Sequence, residues 1–148
     1  MVANDADTRR CHMLASRAAR LHSPALVVIN HDARLIPEAL GGVEGGDGVD
    51  GGLPPRRTTL RFDRVLCDVP GSGDGTLRKN PLIWRRWTHA PANQLHATQL
   101  QIACKGVRLL RPGGRLVYST CSLNPIENEA VVAELLRTFG AKTLRLVD

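Results

Sequence analysis

The sequence predicts an α/β fold, a Rossmann-like class I arrangement with a mostly parallel sheet. Three observations lead there. The runs Ala25–Ile29, Arg64–Asp68 and Arg115–Thr120 are short, apolar and rich in β-branched residues, without the alternation of a half-exposed strand. Between the last two, Leu100, Ala103, Val107 and Leu110 recur at helical spacing. Strand and helix patterns alternate along the chain, which favours parallel strands covered by helices.

Taken in order, Met1–Ala3 is a first apolar run. Thr8–Leu21 then places Cys11, Leu14, Ala15, Ala18 and Leu21 on one helical face, with Arg9, Arg10, Arg17 and Arg20 largely elsewhere. After the Ala25–Ile29 strand comes a glycine-rich segment, 41–57, in which seven of the twelve residues 41–52 are glycine. It has no periodicity and reads as a surface insertion. A helix over Ala92–Leu110 is expected to end at Arg111-Pro112-Gly113-Gly114. Asn124-Pro125-Ile126-Glu127 supplies a cap residue, a proline suited to the first helical position and a carboxylate able to cap backwards, so a last helix is expected from there to about Phe139. Thr143–Val147 is the remaining strand-like stretch.

With 148 residues, one domain is expected. The composition, 43% hydrophobic, 23% charged and 3% aromatic, is that of a globular chain with an aliphatic core. A net charge of +6 and a pI near 9.8 favour polyanionic partners. Cys11, Cys67, Cys104 and Cys121 form no CxxC pair, so neither a zinc knuckle nor a disulfide framework is suggested, and reduced thiols are expected. No apolar run approaches the roughly 20 residues of a membrane span, and Asn4, Asp5 and Asp7 stand where a signal peptide needs apolar residues. A soluble intracellular protein is expected.

In an open parallel sheet, ligands bind beyond the carboxyl ends of the strands. The residues just past the four apolar runs are Asn4 and Asp5, then Asn30, His31 and Asp32, then Asp68, then Thr120 and Cys121. Three acids and a thiol are therefore expected along one edge. Strand-end acids often serve as helix caps, but jointly they suit ribose hydroxyls, an exocyclic amine or a base edge. Cys121 is expected just before a helix start, where backbone N–H groups would favour a thiolate; a free thiol, with a pKa near ~8.5, needs such help to act as a nucleophile. Cys11, Cys67 and Cys104 read as small buried hydrophobes.

Two long segments go beyond pattern. Asp68-Val69-Pro70-Gly71-Ser72-Gly73-Asp74-Gly75-Thr76-Leu77-Arg78-Lys79-Asn80 resembles the DxPCSGxGxxRKN segment of RsmB/NOP/Sun-type RNA (cytosine-5) methyltransferases. Tyr118 to Glu129 resembles their YSTCSxxPxENE segment. Ala3-Asn4-Asp5, Asn30-His31-Asp32-Ala33, Trp84 with Trp87, Gln94-Leu95 and Gln99-Leu100 resemble the tRNA-modifying branch of that family. The likeness spans nearly the whole chain apart from the glycine-rich segment.

The resemblance implies S-adenosyl-L-methionine as cofactor and RNA, foremost tRNA, as partner; from the cysteine spacing and the lack of long apolar runs, no metal and no membrane are expected. It implies a Cys121 thiolate adding to carbon 6 of cytosine so that carbon 5 takes the methyl group. Asp68 would meet the cytosine edge and also border the cofactor, Asp5 and Asp32 would hold the cofactor's ribose and adenine, and Lys79 would contact cofactor or substrate. Arg78, Arg85, Arg86 and Arg115 are candidate phosphate contacts. By the same resemblance residues 1–148 form part of a catalytic domain, beginning inside its second strand and so lacking the DxCAAPGxKT cofactor loop. Gly71 replaces the family's second cysteine, which implies slow release of the covalent adduct. A nuclear or nucleolar location is implied by the family alone.

Three other readings compete. A DNA cytosine-5 methyltransferase would carry its nucleophile where this chain has Gly71, and an amino-group methyltransferase would want an aromatic after Asp68-Val69-Pro70. A non-catalytic remnant that binds RNA or protein through its basic surface is the serious alternative.

Overall fold

A computed structural model describes residues 1–40 and 58–147; the predicted 41–57 insertion lies outside the described residues. The chain divides into two compact units, Met1–Pro37 and the remainder from Glu38.

In the first unit, β1 (Val2–Asn4) pairs in parallel with β2 (Val27–Ile29), joined by helix α1 (Thr8–Ala19). Asp7 caps α1, its carboxylate accepting from Arg10 N at 2.8 Å, which satisfies a backbone donor that helix geometry leaves free. α1 turns its Cys11 side inward, and Cys11 Sγ reaches Ile29 O at 3.5 Å. The helix stops two residues short of the predicted Leu21, as the chain turns through His22 at φ 45°.

In the second unit, β3 (Ala39–Leu40) pairs antiparallel with β4 (Thr58–Thr59). The main ladder is β5 (Phe62–Asp68) in parallel with β6 (Leu110–Ser119). Connecting them are the four-residue helix α2 (Ile83–Arg86) and the long α3 (His89–Arg108), and α4 (Glu129–Phe139) follows β6. Parallel pairing and the strand–helix alternation of an α/β fold are thus observed, in three two-stranded ladders among the described residues.

Four expectations need correction. Arg111-Pro112-Gly113-Gly114 does not merely end the helix: it lies within β6, where the register shifts between Phe62 and Arg64, and Gly113 takes φ 78°, a conformation glycine tolerates. The last helix begins at Glu129 rather than at Asn124: Asn124 Oδ1 accepts from Ile126 N (3.1 Å) as a cap would, but Glu127 is drawn inward and residues 125–128 form turns. Thr143–Val147 forms no strand. Nor are the strands covered on both faces within this unit: Leu66 and Val117, partners in the ladder, are 68% and 57% exposed.

The opposite face of that ladder carries α3. Ala92, Gln99, Ala103 and Gly106 form one buried stripe along the helix. Ala103 meets Val131 and Leu135 of α4, with Leu100, Val107, Tyr118 and Phe139 packed around them. Gly106 permits the close approach: a Cβ there would lie 2.6 Å from Cys67 Sγ and 2.9 Å from Leu116 Cδ1. Gly106→Ala is therefore expected to destabilise the chain by about 1–3 kcal/mol through overpacking, despite alanine's better helix propensity. Urea unfolding measures this; an unchanged or raised midpoint would show that α3 does not depend on the contact.

Candidate active site

The end of the β5–β6 ladder brings two loops together. Asp68 and Ser119 are partners in its last rung, Val69 N donates to Ser119 O at 3.0 Å, and Ser119 Oγ donates to Asp68 Oδ1 at 2.9 Å. Asp68 is exposed, and so is Cys121, two residues beyond Ser119. Parallel pairing alone thus places the predicted acid and thiol at the carboxyl end of one strand pair.

Between these loops Gly71 faces Cys121. A Cβ at position 71 would lie 3.3 Å from Cys121 Sγ and 3.4 Å from Glu127 Oε2. Gly75 N donates to Cys121 O at 3.0 Å, and a Cβ on Gly75 would stand only 2.8 Å from that oxygen, so the absence of a side chain lets the two backbones meet. The predicted helix terminus behind Cys121 is absent, since α4 starts eight residues later. Cys121 sits in a loop fastened by its neighbours instead: Ser122 N donates to Thr120 Oγ1 (3.1 Å) and Leu123 N to Asp74 Oδ1 (2.9 Å).

The group holding this corner together is one that sequence reasoning missed. Glu127 is fully buried. Its Oε2 accepts from Ser72 N (2.9 Å) and Gln99 Nε2 (3.0 Å), and its Oε1 from Ser122 Oγ (2.8 Å), with Asn124 Nδ2 at 3.4 Å. Its backbone carbonyl accepts from the Tyr118 hydroxyl at 2.6 Å. Burial works to raise the Glu127 pKa, but the hydrogen bonds from Ser72, Ser122 and Gln99 outweigh it and hold the carboxyl below its ordinary value. Asp74 behaves alike: burial opposes ionisation, and surrounding hydroxyl and backbone donors keep its pKa lowered. One signal was available in the sequence, for Gln99 interrupts the small-residue stripe of α3, and a buried amide needs a polar partner.

The remaining candidates are placed as follows. Lys79 is exposed at the end of the turn after Gly73, its backbone N donating to Thr76 O. Arg78, Arg85, Arg86 and Arg115 are all exposed; Arg115 stands beside Arg64 in the ladder. Arg86 also lines a pocket of about 420 Å³ with Ser72, Ile83, Trp87, Gln94 and Leu95. Cys67 is buried, and loss of solvent pushes its pKa up to about 11; half-buried Cys104 is raised for the same reason. These two thiols, with buried Cys11, fit the structural role expected of them.

The first unit gathers the other two acids. Asp5 and Asp32 lie just past the ends of β1 and β2, linked by Asn4 and Asn30: Asn4 Nδ2 donates to His31 O (2.9 Å), His31 N to Asn4 Oδ1 (3.1 Å) and Asn30 Nδ2 to Asp5 O (2.6 Å). Asp5 pairs with Arg10 at 3.0 Å. Asp32 caps the turn Ala33–Leu35 and is gripped by the Arg34 guanidinium at 2.6 Å, which with the Arg34 backbone N–H lowers its pKa to about 2. Its geometry is that of a cap reinforced by a short-range ion pair.

Because the folded-state pKa values of Glu127 and Asp74 are lowered, the stability they contribute is complete above the unfolded carboxyl range, about pH 4–5, and is lost as pH falls through the folded values. Urea midpoints followed from pH 7 to pH 3 should fall steeply in the parent and less steeply in Glu127→Gln. Parallel acid limbs would mean that the carboxylate is not coupled to folding.

The family model for 16S rRNA methyltransferase RsmB/F matches residues 1–147. The chain is 53% identical over its whole length to the multisite-specific tRNA:(cytosine-C(5))-methyltransferase of Saccharomyces cerevisiae and 49% identical to the tRNA (cytosine(34)-C(5))-methyltransferase of Drosophila melanogaster. It spans 20% and 18% of those proteins. Among solved structures, NSun6 from Pyrococcus horikoshii with SFG superposes over 93% of this chain and 30% of its own, at a TM-score of 0.66 and 25% identity. A methyltransferase homologue from the same organism matches 93% of this chain and 36% of its own at the same TM-score with 28% identity. The motifs, the parallel strand pairs and these likenesses agree: the chain belongs to the RsmB/F methyltransferase family.

Proposed function

We propose that the protein transfers a methyl group from S-adenosyl-L-methionine to carbon 5 of a cytosine in RNA, with tRNA as the substrate class, through a covalent bond to Cys121. The observation that carries this reading is the exposed Cys121 thiol two residues past Ser119, the ladder partner of Asp68, at the carboxyl end of the β5–β6 pair and facing Gly71.

In this reading Cys121 Sγ bonds to carbon 6 of the cytosine, and Asp68, free at its second carboxyl oxygen of the Ser119 contact, meets the base edge. After the methyl group has reached carbon 5, loss of the carbon 5 proton and departure of Cys121 restore the ring. Lys79 serves as a contact to substrate or cofactor, and Arg78, Arg85, Arg86 and Arg115 as phosphate contacts. The cytosine must be unstacked or in a loop, since none of these groups can enter a base stack. The cofactor supplies the methyl group; Asp5 and Asp32, at the ends of adjacent parallel strands, are acceptors that fit its ribose hydroxyls and adenine amine, Asp32 after exchange of part of its Arg34 pairing. Among the described residues no helix is long and apolar enough to cross a membrane. An RNA substrate puts the reaction inside the cell, and the nucleus or nucleolus is the compartment we favour.

Gly71 favours a second reading, a non-catalytic RNA-binding relative, because it brings no thiol or other proton acceptor toward Cys121. Incubation with tRNA and S-adenosyl-L-methionine followed by a denaturing gel separates the two. Slow adduct release predicts a shifted protein–RNA band that disappears in Cys121→Ala and turns over faster in Gly71→Cys. Binding of tRNA without any band or methylation would establish the non-catalytic reading.

A further inference from the structure

Among the described residues the buried Glu127 carboxylate has no counter-charge in contact: its partners are the Ser72 N–H, the Gln99 amide, the Ser122 hydroxyl and the Asn124 amide. An ionised carboxylate is costly to bury, and it is retained where several donors converge on it. Here the donors come from three separate stretches of chain. Ser72 belongs to the loop after β5, Ser122 and Asn124 to the loop after β6, and Gln99 to the middle of α3. Gln99 also ties in the first loop directly, donating from the same Nε2 to Pro70 O at 2.9 Å. Glu127 is itself fixed at both backbone ends, its N–H donating to Asn124 O (3.0 Å) and its carbonyl accepting from Tyr118.

We propose that Glu127 is the positioning residue for the nucleophile: its carboxylate ties the Pro70–Ser72 loop to the Cys121 loop and so sets the distance between Cys121 Sγ and whatever occupies the space over Gly71. The geometry is direct. The point where a Cβ would stand on Gly71 is 3.4 Å from Glu127 Oε2 and 3.3 Å from Cys121 Sγ, so the carboxylate and the thiol border the same spot from two sides. Glu127 does not touch the space where substrate would lie, being fully buried, and acts through the loops it joins. Its lowered pKa keeps it an acceptor for all of these donors at neutral pH. The functional meaning rests on Cys121 being the nucleophile, whereas the positioning itself can be measured without substrate.

A thiol introduced at position 71 reports the distance. In Gly71→Cys the new Cβ starts near the separation a disulfide to Cys121 requires, so oxidised glutathione should close that bond rapidly, with two equivalents of glutathione released. Peptide mapping identifies the 71–121 bond against the other thiols. Adding Glu127→Ala is expected to slow closure by at least about tenfold, because loosened loops lose effective concentration, while Glu127→Gln stays within about threefold. The amide can still accept from Ser72 N and Gln99 Nε2 with its oxygen and donate to Ser122 Oγ with its nitrogen. Circular dichroism establishes that each variant is folded. Equal closure rates in folded Glu127→Ala and its Gly71→Cys parent would overturn the proposal. Should Glu127→Ala not fold, Ser122→Ala, which removes one donor, decides: slowed closure supports the clamp and unchanged closure refutes it. The assay contains neither RNA nor S-adenosyl-L-methionine, so its failure is distinct from failure of the methyl-transfer reading.

Discussion

The parallel pairing of β5 with β6 is the constraint on which the site depends. It joins residues some fifty positions apart in sequence, Asp68 with Ser119, and the Cys121 and Glu127 side chains hang from the loop that leaves this rung. Parallel strands require a crossover, and here the crossover helix α3 packs against the ladder through Gly106, close enough to leave no room for a Cβ beside Cys67. The same helix carries Gln99, which reaches the first loop and the Glu127 carboxylate. Core packing and site geometry are thus two consequences of one helix docking on one strand pair.

The polar chemistry at the ladder's end follows a consistent pattern. Two carboxylates, Asp74 and Glu127, face inward and receive hydrogen bonds from across the loops, while the two groups assigned to chemistry, Asp68 and Cys121, face solvent. The hydrogen-bonded support lies beneath, and the groups proposed to react lie above it. A nucleophile on a loop can be held within the narrow tolerance that bond formation demands only if such a second layer exists. Gly71 marks where this chain departs from the sequence it resembles, and the departure falls at the point where the support and the thiol meet.

Much of the fold was legible because its signals are local or periodic. Uninterrupted apolar runs marked the parallel strands, helical spacing marked α1 and α3, and counting along each run located Asp5, Asp32, Asp68 and Cys121 at or just past the strand ends. The start of α4 was misread for a physical reason: Asn124, Pro125 and Glu127 have the local chemistry of a helix N-terminus, but Glu127 meets stronger partners 55 and 28 residues away. Tertiary hydrogen bonds outweighed a cap. The role of Glu127 was hidden by the same fact, since nothing near it in sequence announces Ser72 or Gln99. Arg34, by contrast, lies two residues from Asp32 and shows how a short-range ion pair can share a carboxylate read as a ligand.

The most direct test of the central claim, that Cys121 is the nucleophile, is to identify the cross-linked residue in a complex trapped with RNA carrying 5-fluorocytosine, whose carbon 5 has no proton to lose. With S-adenosyl-L-methionine present, mass mapping should place the nucleotide on the peptide containing Cys121. Attachment at Cys11, Cys67 or Cys104, or methyl transfer that proceeds undiminished in Cys121→Ala, would contradict the account.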